Sequence, residues 1–193
     1  MPAGEVVVVL GEQTFNALLE ALFALPQPPA FPLSGSAKGG ECPGQLVLAR
    51  ESDGVRTSVR FRDGRIDAPV AFSGSYAAPV VGCVRFRGWA DSSLDLAFDP
   101  ARQALTARVR VREVHLSKVP SLFAGGITGL VQDALDERVN PIEILRAEQV
   151  SAQLPLRKLQ TGGSLRLRAS GVRHEVSPGE LRLRISYEFV RED

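Results

Sequence analysis

The sequence predicts an α+β domain in which a strongly curved antiparallel β-sheet wraps around one long and one shorter amphipathic helix. Three observations lead there. Apolar residues recur at every second position through most of residues 45–116 and again through 150–189, the pattern of strands with one dry and one wet face. In two stretches the period changes to that of a helix. The 193 residues, 44% hydrophobic and 23% charged, suit a single domain spanning 1–193 with a sizeable core.

Taken in order, residues 4–10 read as a short buried strand of β-branched residues ending at Gly11. Phe15, Leu18, Leu19 and Leu22 then fall at i, i+3, i+4 and i+7, one stripe on a helix of about three turns. Glu12 stands in its first turn, where negative charge suits the helix dipole. Pro26, Pro28 and Pro29 end it. Residues 26–44, rich in Pro and Gly, form a loop.

From Gln45 onward the period is close to two. Val55, Thr57, Val59 and Phe61 alternate with polar residues, and Asp63-Gly64 marks a tight hairpin turn. Ile66, Ala68, Val70 and Phe72 continue on the return strand. Val84 and Phe86, then Leu94, Leu96 and Phe98, then Leu105, Ala107, Val109 and Val111 repeat the alternation. After Glu113 the apolar phase shifts by one, to Val114 and Leu116, which predicts a β-bulge. A second helix follows Pro120, with Ser121 as N-cap. Its stripe is Phe123, Ile127, Leu130, Val131, Ala134, Leu135 and Val139, and Asn140-Pro141 ends it. The last part alternates again through Val150–Leu156, Leu165–Ala169 and Leu181–Phe189, with Ser177-Pro178-Gly179-Glu180 as a turn.

The 23 Lys+Arg against 22 Asp+Glu leave a net charge of +1, so no global field draws the chain to nucleic acid. No aromatic interleaving or recognition motif suggests a nucleic-acid partner either. The apolar run Val6–Leu10 is too short for a signal h-region of ~7–15 residues or for a membrane span. The sequence as given therefore predicts the cytoplasm, with the periplasm or cell envelope as alternative if a leader was removed. Cys42 and Cys83 are the only cysteines. Two free buried thiols are the expected state, with a disulfide as the alternative.

Catalytic signals are absent from the text of the chain. His115 and His174 each have a neighbouring acid, Glu113 and Glu175, but no G-x-S-x-G elbow accompanies them. No CxxC or HExxH spacing suggests a metal, and the glycine pairs match neither a P-loop nor a dinucleotide fingerprint. The expectation is no enzyme, no cofactor and no metal. The arginines at 56, 60, 62, 108, 110, 112, 166, 168, 182 and 184 lie on wet strand faces. They form a solvated surface or a basic stripe suited to phosphate head groups.

Three stretches carry a likeness to a known family: VVVVLGEQTFNALLEALF (6–23), VPSLFAGGITGLVQDALDERVNPIEIL (119–145) and SLRLRASGVRHEVSPGELRLRISYEF (164–189). With the strands between them they resemble the tubular lipid-binding superfamily. That group includes bactericidal/permeability-increasing protein, synaptotagmin-like lipid-transfer domains and small bacterial envelope lipoproteins. The resemblance implies a long helix rolled in a curved sheet around an acyl chain or other elongated apolar ligand, with peripheral membrane contact. The lining candidates are the apolar-phase residues Phe15, Leu18, Leu22, Phe61, Phe72, Phe86, Phe98, Val109, Ile127, Leu130, Val131, Ala134, Leu167 and Ile185. The alternative is a structural or protein-interaction component with a filled core and no ligand.

Overall fold

The computed structural model describes residues 4–33, 42–78, 82–117, 119, 121–146, 149, 153–155 and 164–192. Within them the chain is mostly antiparallel β, strongly curled into a half-barrel, with two helices. Strand β1 (Gly4–Gly11) runs directly into helix α1 (Glu12–Phe23). Short strands follow: β2 (Ala30–Pro32), β3 (Gln45–Ala49), β4 (Glu51–Ser52), β5 (Val55–Arg56), β6 (Arg60–Arg62) and β7 (Arg65–Asp67). Three longer strands are β8 (Val70–Ala78), β9 (Gly82–Asp99) and β10 (Ala104–Ser117). Helix α2 (Ser121–Arg138) precedes β11 (Ile142–Arg146), β12 (Gln153–Pro155), β13 (Ser164–Ser177) and β14 (Glu180–Glu192).

The strands divide into more than the one expected sheet. Eight strands share one sheet, with the path β11-β10-β9-β8-β3-β2 and the β6–β7 hairpin beside β9. Four form a second, in the order β1-β14-β13-β12, and β4 pairs with β5 in a small two-stranded sheet. The first and last parts of the chain therefore meet in one sheet. Val6, Val8 and Leu10 lie opposite Ile185, Leu183 and Leu181.

Much of the local reading holds. The Asp63-Gly64 turn joins β6 to β7, with Gly64 at φ 72°. The bulge in β10 falls between Val111 and Glu113, one residue earlier than expected. Both helices lie where the period placed them, although Ser121 is the first helical residue rather than its cap. Two differences have clear causes. The expected strand from Val55 to Phe61 breaks after Arg56, because Asp53 and Gly54 both take positive φ (52° and 78°) and fold 51–56 into its own small hairpin. Val84–Phe98 falls within one strand, Gly82–Asp99, rather than two. The expected loop at 26–44 lies partly, and the alternation at Val150–Leu156 largely, outside the described residues.

Cys42 and Cys83 form a disulfide, which corrects the expectation of free thiols. They are 41 residues apart, yet their Cα atoms lie 5.4 Å from each other, inside the range a disulfide needs. Only the fold brings the start of β9 to the segment before β3.

Two glycines let the sheet curl. A Cβ on Gly88 would lie 1.9 Å from the His115 carbonyl oxygen on β10, and one on Gly74 would lie 2.5 Å from the Phe86 ring and 2.6 Å from the Gln45 carbonyl oxygen. Close backbone approach of this kind admits no side chain. Gly88→Ala is expected to destabilise by about 3 kcal/mol, through overpacking against backbone; urea denaturation reads it, and an unchanged midpoint would contradict the close approach.

A Cys42→Ser/Cys83→Ser variant is expected to fold but to lose about 3–4 kcal/mol, the contribution of a cross-link closing a loop of that length. Parallel melts of oxidised, reduced and double-variant protein check this. The reduced protein and the variant should melt together, below the oxidised form.

Candidate functional site

Among the described residues three apolar clusters make up the interior. The first joins α2 to the eight-stranded sheet: Ile127, Val131, Ala134 and Leu135 pack on Leu33, Leu46, Phe72, Phe86, Ala90 and Val109, with Leu130 partly buried against them. The Phe72 and Phe86 rings meet edge to face at 6.1 Å. The second cluster lies between the sheets and joins Val59, Phe61, Ile66 and Leu105 to Leu181 and Leu183. Phe15 and Leu19 of α1 pack against it, with Phe15 edge-on to Phe61 at 5.4 Å. The third holds Ala169, Ile185 and Tyr187, with Phe98 alongside.

These clusters touch. Leu94 borders the first and second, and Val8, Leu145 and Val172 border the second and third. One apolar seam thus runs from α2 to the inner face of β14. Along that face Leu181, Leu183, Ile185 and Tyr187 are 0–1% exposed, whereas Phe189 is 40% exposed. Val6, on the same face of β1, is 38% exposed. The seam opens to solvent there. Inside it the Tyr187 hydroxyl is buried without a hydrogen-bond partner among the described residues, and burial pushes its pKa up.

Most expected lining residues fall on this seam. Leu22 is half-buried and belongs to none of the three clusters. Leu167 stands opposite Phe189 in the backbone register, but its side chain lies outside the described residues. Leu18 is a correction: it is 66% exposed. The buried side of α1 is rotated away from it, because Glu12 and Asn16 also face the protein and bind the backbone of 59–61. At 100° per residue, Leu18 lies on the far side of Phe15 from those two. The helix glycines also face away from the sheet, since Gly126 and Gly129 are exposed with open space where a Cβ would be.

Side-chain amides close gaps in the ladders, and the composition had not pointed to them. Val59 N donates to Asn16 Oδ1 (2.9 Å) while Asn16 Nδ2 donates to Val59 O (3.0 Å). Gln103 binds Ala169 in the same way at 2.9 and 3.0 Å, as does Asn140 with Val109 at 2.8 and 2.9 Å. Gln132 Oε1 accepts from Val111 N at 2.8 Å. Asn140 stands just past the end of α2 and Gln103 in the β9–β10 turn, whereas Asn16 and Gln132 lie within helices, where nothing in the sequence marks them.

The basic stripe is largely neutralised. Arg56, Arg62, Arg108, Arg110, Arg112, Arg182 and Arg184 each have a carboxylate partner. Arg112 bridges Asp67 and Asp91, and those bonds hold its pKa up. The two histidines stand on different sheets. His115 stacks on Trp89 at 3.9 Å, and His174 is exposed on β13. No group of three metal-ligating side chains occurs among the described residues, and no described helix is long and apolar enough to cross a membrane. The sequence matches no known protein-family model and no curated protein.

Asp136 organises the α2 end of the site. It accepts from Asn140 Nδ2 (2.8 Å) and Gln132 Nε2 (3.0 Å), which turns both amide oxygens toward the β10 backbone. Those two bonds, with Arg108 and Arg110 nearby, lower its pKa from the ordinary 3.8. A depressed carboxylate stabilises the fold fully above its unfolded pKa, and that contribution is lost as pH falls through the folded value. Urea midpoints measured from about pH 2 to 5 should therefore fall less steeply toward acid in Asp136→Asn than in wild type. Identical acid limbs would remove Asp136 from this role.

Proposed function

We propose that this protein binds an elongated, lipid-like apolar ligand without covalent chemistry, in the manner of the tubular lipid-binding superfamily. The observation that carries the reading is the apolar seam with an open end. It begins under α2, passes between the sheets, and reaches solvent at Val6 and Phe189. On this reading α2 is the long helix, the sheets roll around it, and α1 is the shorter helix at the side. The Tyr187 hydroxyl supplies a polar donor in a largely apolar wall, as ligand pockets commonly have. The exposed Val6 and Phe189 make the open end suited to contact with a membrane surface during transfer. The Cys42–Cys83 disulfide supports an oxidising compartment such as the periplasm.

A second reading rests on the packing under α2. Phe72, Phe86, Val109, Ile127, Val131 and Ala134 are only 1–7% exposed, which favours a filled core in a structural or interaction protein. One experiment separates the two. A fluorescent fatty acid is titrated into delipidated wild type, Phe189→Asp, Tyr187→Phe and Ala134→Phe, with thermal melts recorded alongside. The lipid reading expects saturable binding that strengthens by ~0.8 kcal/mol per buried CH₂ of the ligand. It also expects weaker binding by Phe189→Asp and Tyr187→Phe with little change in their melts. If wild type shows no saturable binding and Ala134→Phe merely loses ~1–3 kcal/mol of stability, the filled core stands and the lipid reading is withdrawn.

A further inference from the structure

We propose that a groove on the face of the large sheet opposite α2 binds a phosphate-type oxyanion through Arg85 and Arg87. The face is set by register. Leu46, Gly74 and Phe86 align toward α2, so their neighbours align away from it: Gln45 with Ser75 and Arg85, and Val47 with Ser73, Arg87 and Ser117. These two rows floor a groove of about 540 Å³, walled on one side by Pro43. Pro43 is held there by its neighbour Cys42, cross-linked to Cys83 two residues before Arg85. The disulfide thus fixes the rim beside the cations.

Two independent observations point to an anion. First, Arg85 and Arg87 are exposed and form no ion pair among the described residues, whereas most arginines on the sheets have a carboxylate within 4 Å. Spaced i, i+2 on one strand face, their Cα atoms lie roughly 6.5–7 Å apart, so both guanidinium forks reach a single tetrahedral group between them. Second, Ser75 on the groove floor is only 6% exposed, yet its hydroxyl has no hydrogen-bond partner among the described residues. A buried hydroxyl left without a partner is costly, and a bound oxyanion supplies the missing acceptor. Ser73 and Gln45 add donors from the same rows. Ser117 is not part of the donor set, because its hydroxyl is bonded to the Asp53 carboxylate. The groove lies across the sheet from the apolar seam and does not depend on the lipid reading.

A phosphate group could arrive free, on a small phosphorylated molecule, or as a lipid head group, and the test separates these. Inorganic phosphate is titrated calorimetrically into the full-length protein. In parallel, the protein is sedimented with phosphatidylcholine vesicles, with and without phosphatidic acid. The expected result is saturable binding of phosphate, of phosphatidic acid vesicles, or of both. It should weaken with added salt and fall about tenfold or more in Arg85→Gln/Arg87→Gln. Both side chains are exposed, so that variant should melt as wild type does; if it melts early, the two single variants carry the comparison. Ser75→Ala should also bind more weakly while melting at the same temperature or higher, a pairing that a purely structural serine would not show. Binding of phosphate without vesicles assigns a soluble ligand, and binding only of phosphatidic acid vesicles assigns a head group. No saturable binding of either, or equal binding by wild type and the arginine variants, overturns the proposal.

Discussion

The architecture depends on how a curled sheet ends its ladders. Every strand carries backbone donors and acceptors that need partners, and in this curled sheet some strands are paired along only part of their length. Here β10 pairs with β11 only over Ala104–Ala107, which leaves Val109 and Val111 at an edge. Asn140 and Gln132 fill that edge, and Asp136 holds both amides in the required orientation. Asn16 does the same for Val59 and Gln103 for Ala169. Asn16, Gln103 and Asn140 each present one donor and one acceptor to the strand, so a single side chain stands in for a residue of a missing strand, while Gln132 supplies an acceptor alone. These contacts also fix where the helices sit. The position of α2 over the first cluster and of α1 beside the second is a consequence of edge satisfaction as much as of apolar burial.

From that arrangement the two faces of the large sheet acquire separate characters. The face under α2 is closed by Phe72, Phe86 and Val109 against Ile127, Val131 and Ala134. The opposite face carries Ser73, Ser75, Arg85 and Arg87, with the disulfide at its rim. The alternation of strands makes this division strict, because one residue of slip would exchange the two sets. The bulge at Arg112 moves the phase of β10 beyond it, and the Trp89–His115 stack lies past that point. An apolar ligand in the seam and an oxyanion on the opposite face would thus meet the same strands from opposite sides without competing.

Charge on this protein is arranged by pairing. Asp67 meets Arg62, Arg65 and Arg112, Glu20 meets Arg50 and Arg56, and Glu5 bridges Arg173 and Arg184. Exposed pairs of this kind each contribute little to stability. Their effect is to cancel a field that a row of arginines would otherwise project. That cancellation is what makes Arg85 and Arg87, without an ion pair among the described residues, informative.

What the sequence determined by itself is local and periodic. The alternation of Leu105, Ala107, Val109 and Val111, the Asp63-Gly64 turn and the shift near Glu113 each depend on neighbours in the chain, and the structure has them. The helical stripe from Ile127 to Leu135 was equally legible, because a 3.6-residue period reports burial without reference to a partner. The Asp53-Gly54 turn could have been read by the same logic. Tertiary structure alone decided the rest: the division into two sheets, the pairing of β1 with β14, the Cys42–Cys83 bond, and the exposure of Leu18. Periodicity states that a face is apolar, not which surface it will meet or how far the element is rotated toward it. Leu18 sat on a valid stripe, but the bonds from Glu12 and Asn16 to residues 59–61 turned α1 away from it. Those bonds join positions more than forty residues apart, and no local pattern encodes a contact whose partner is chosen by the path of the whole chain.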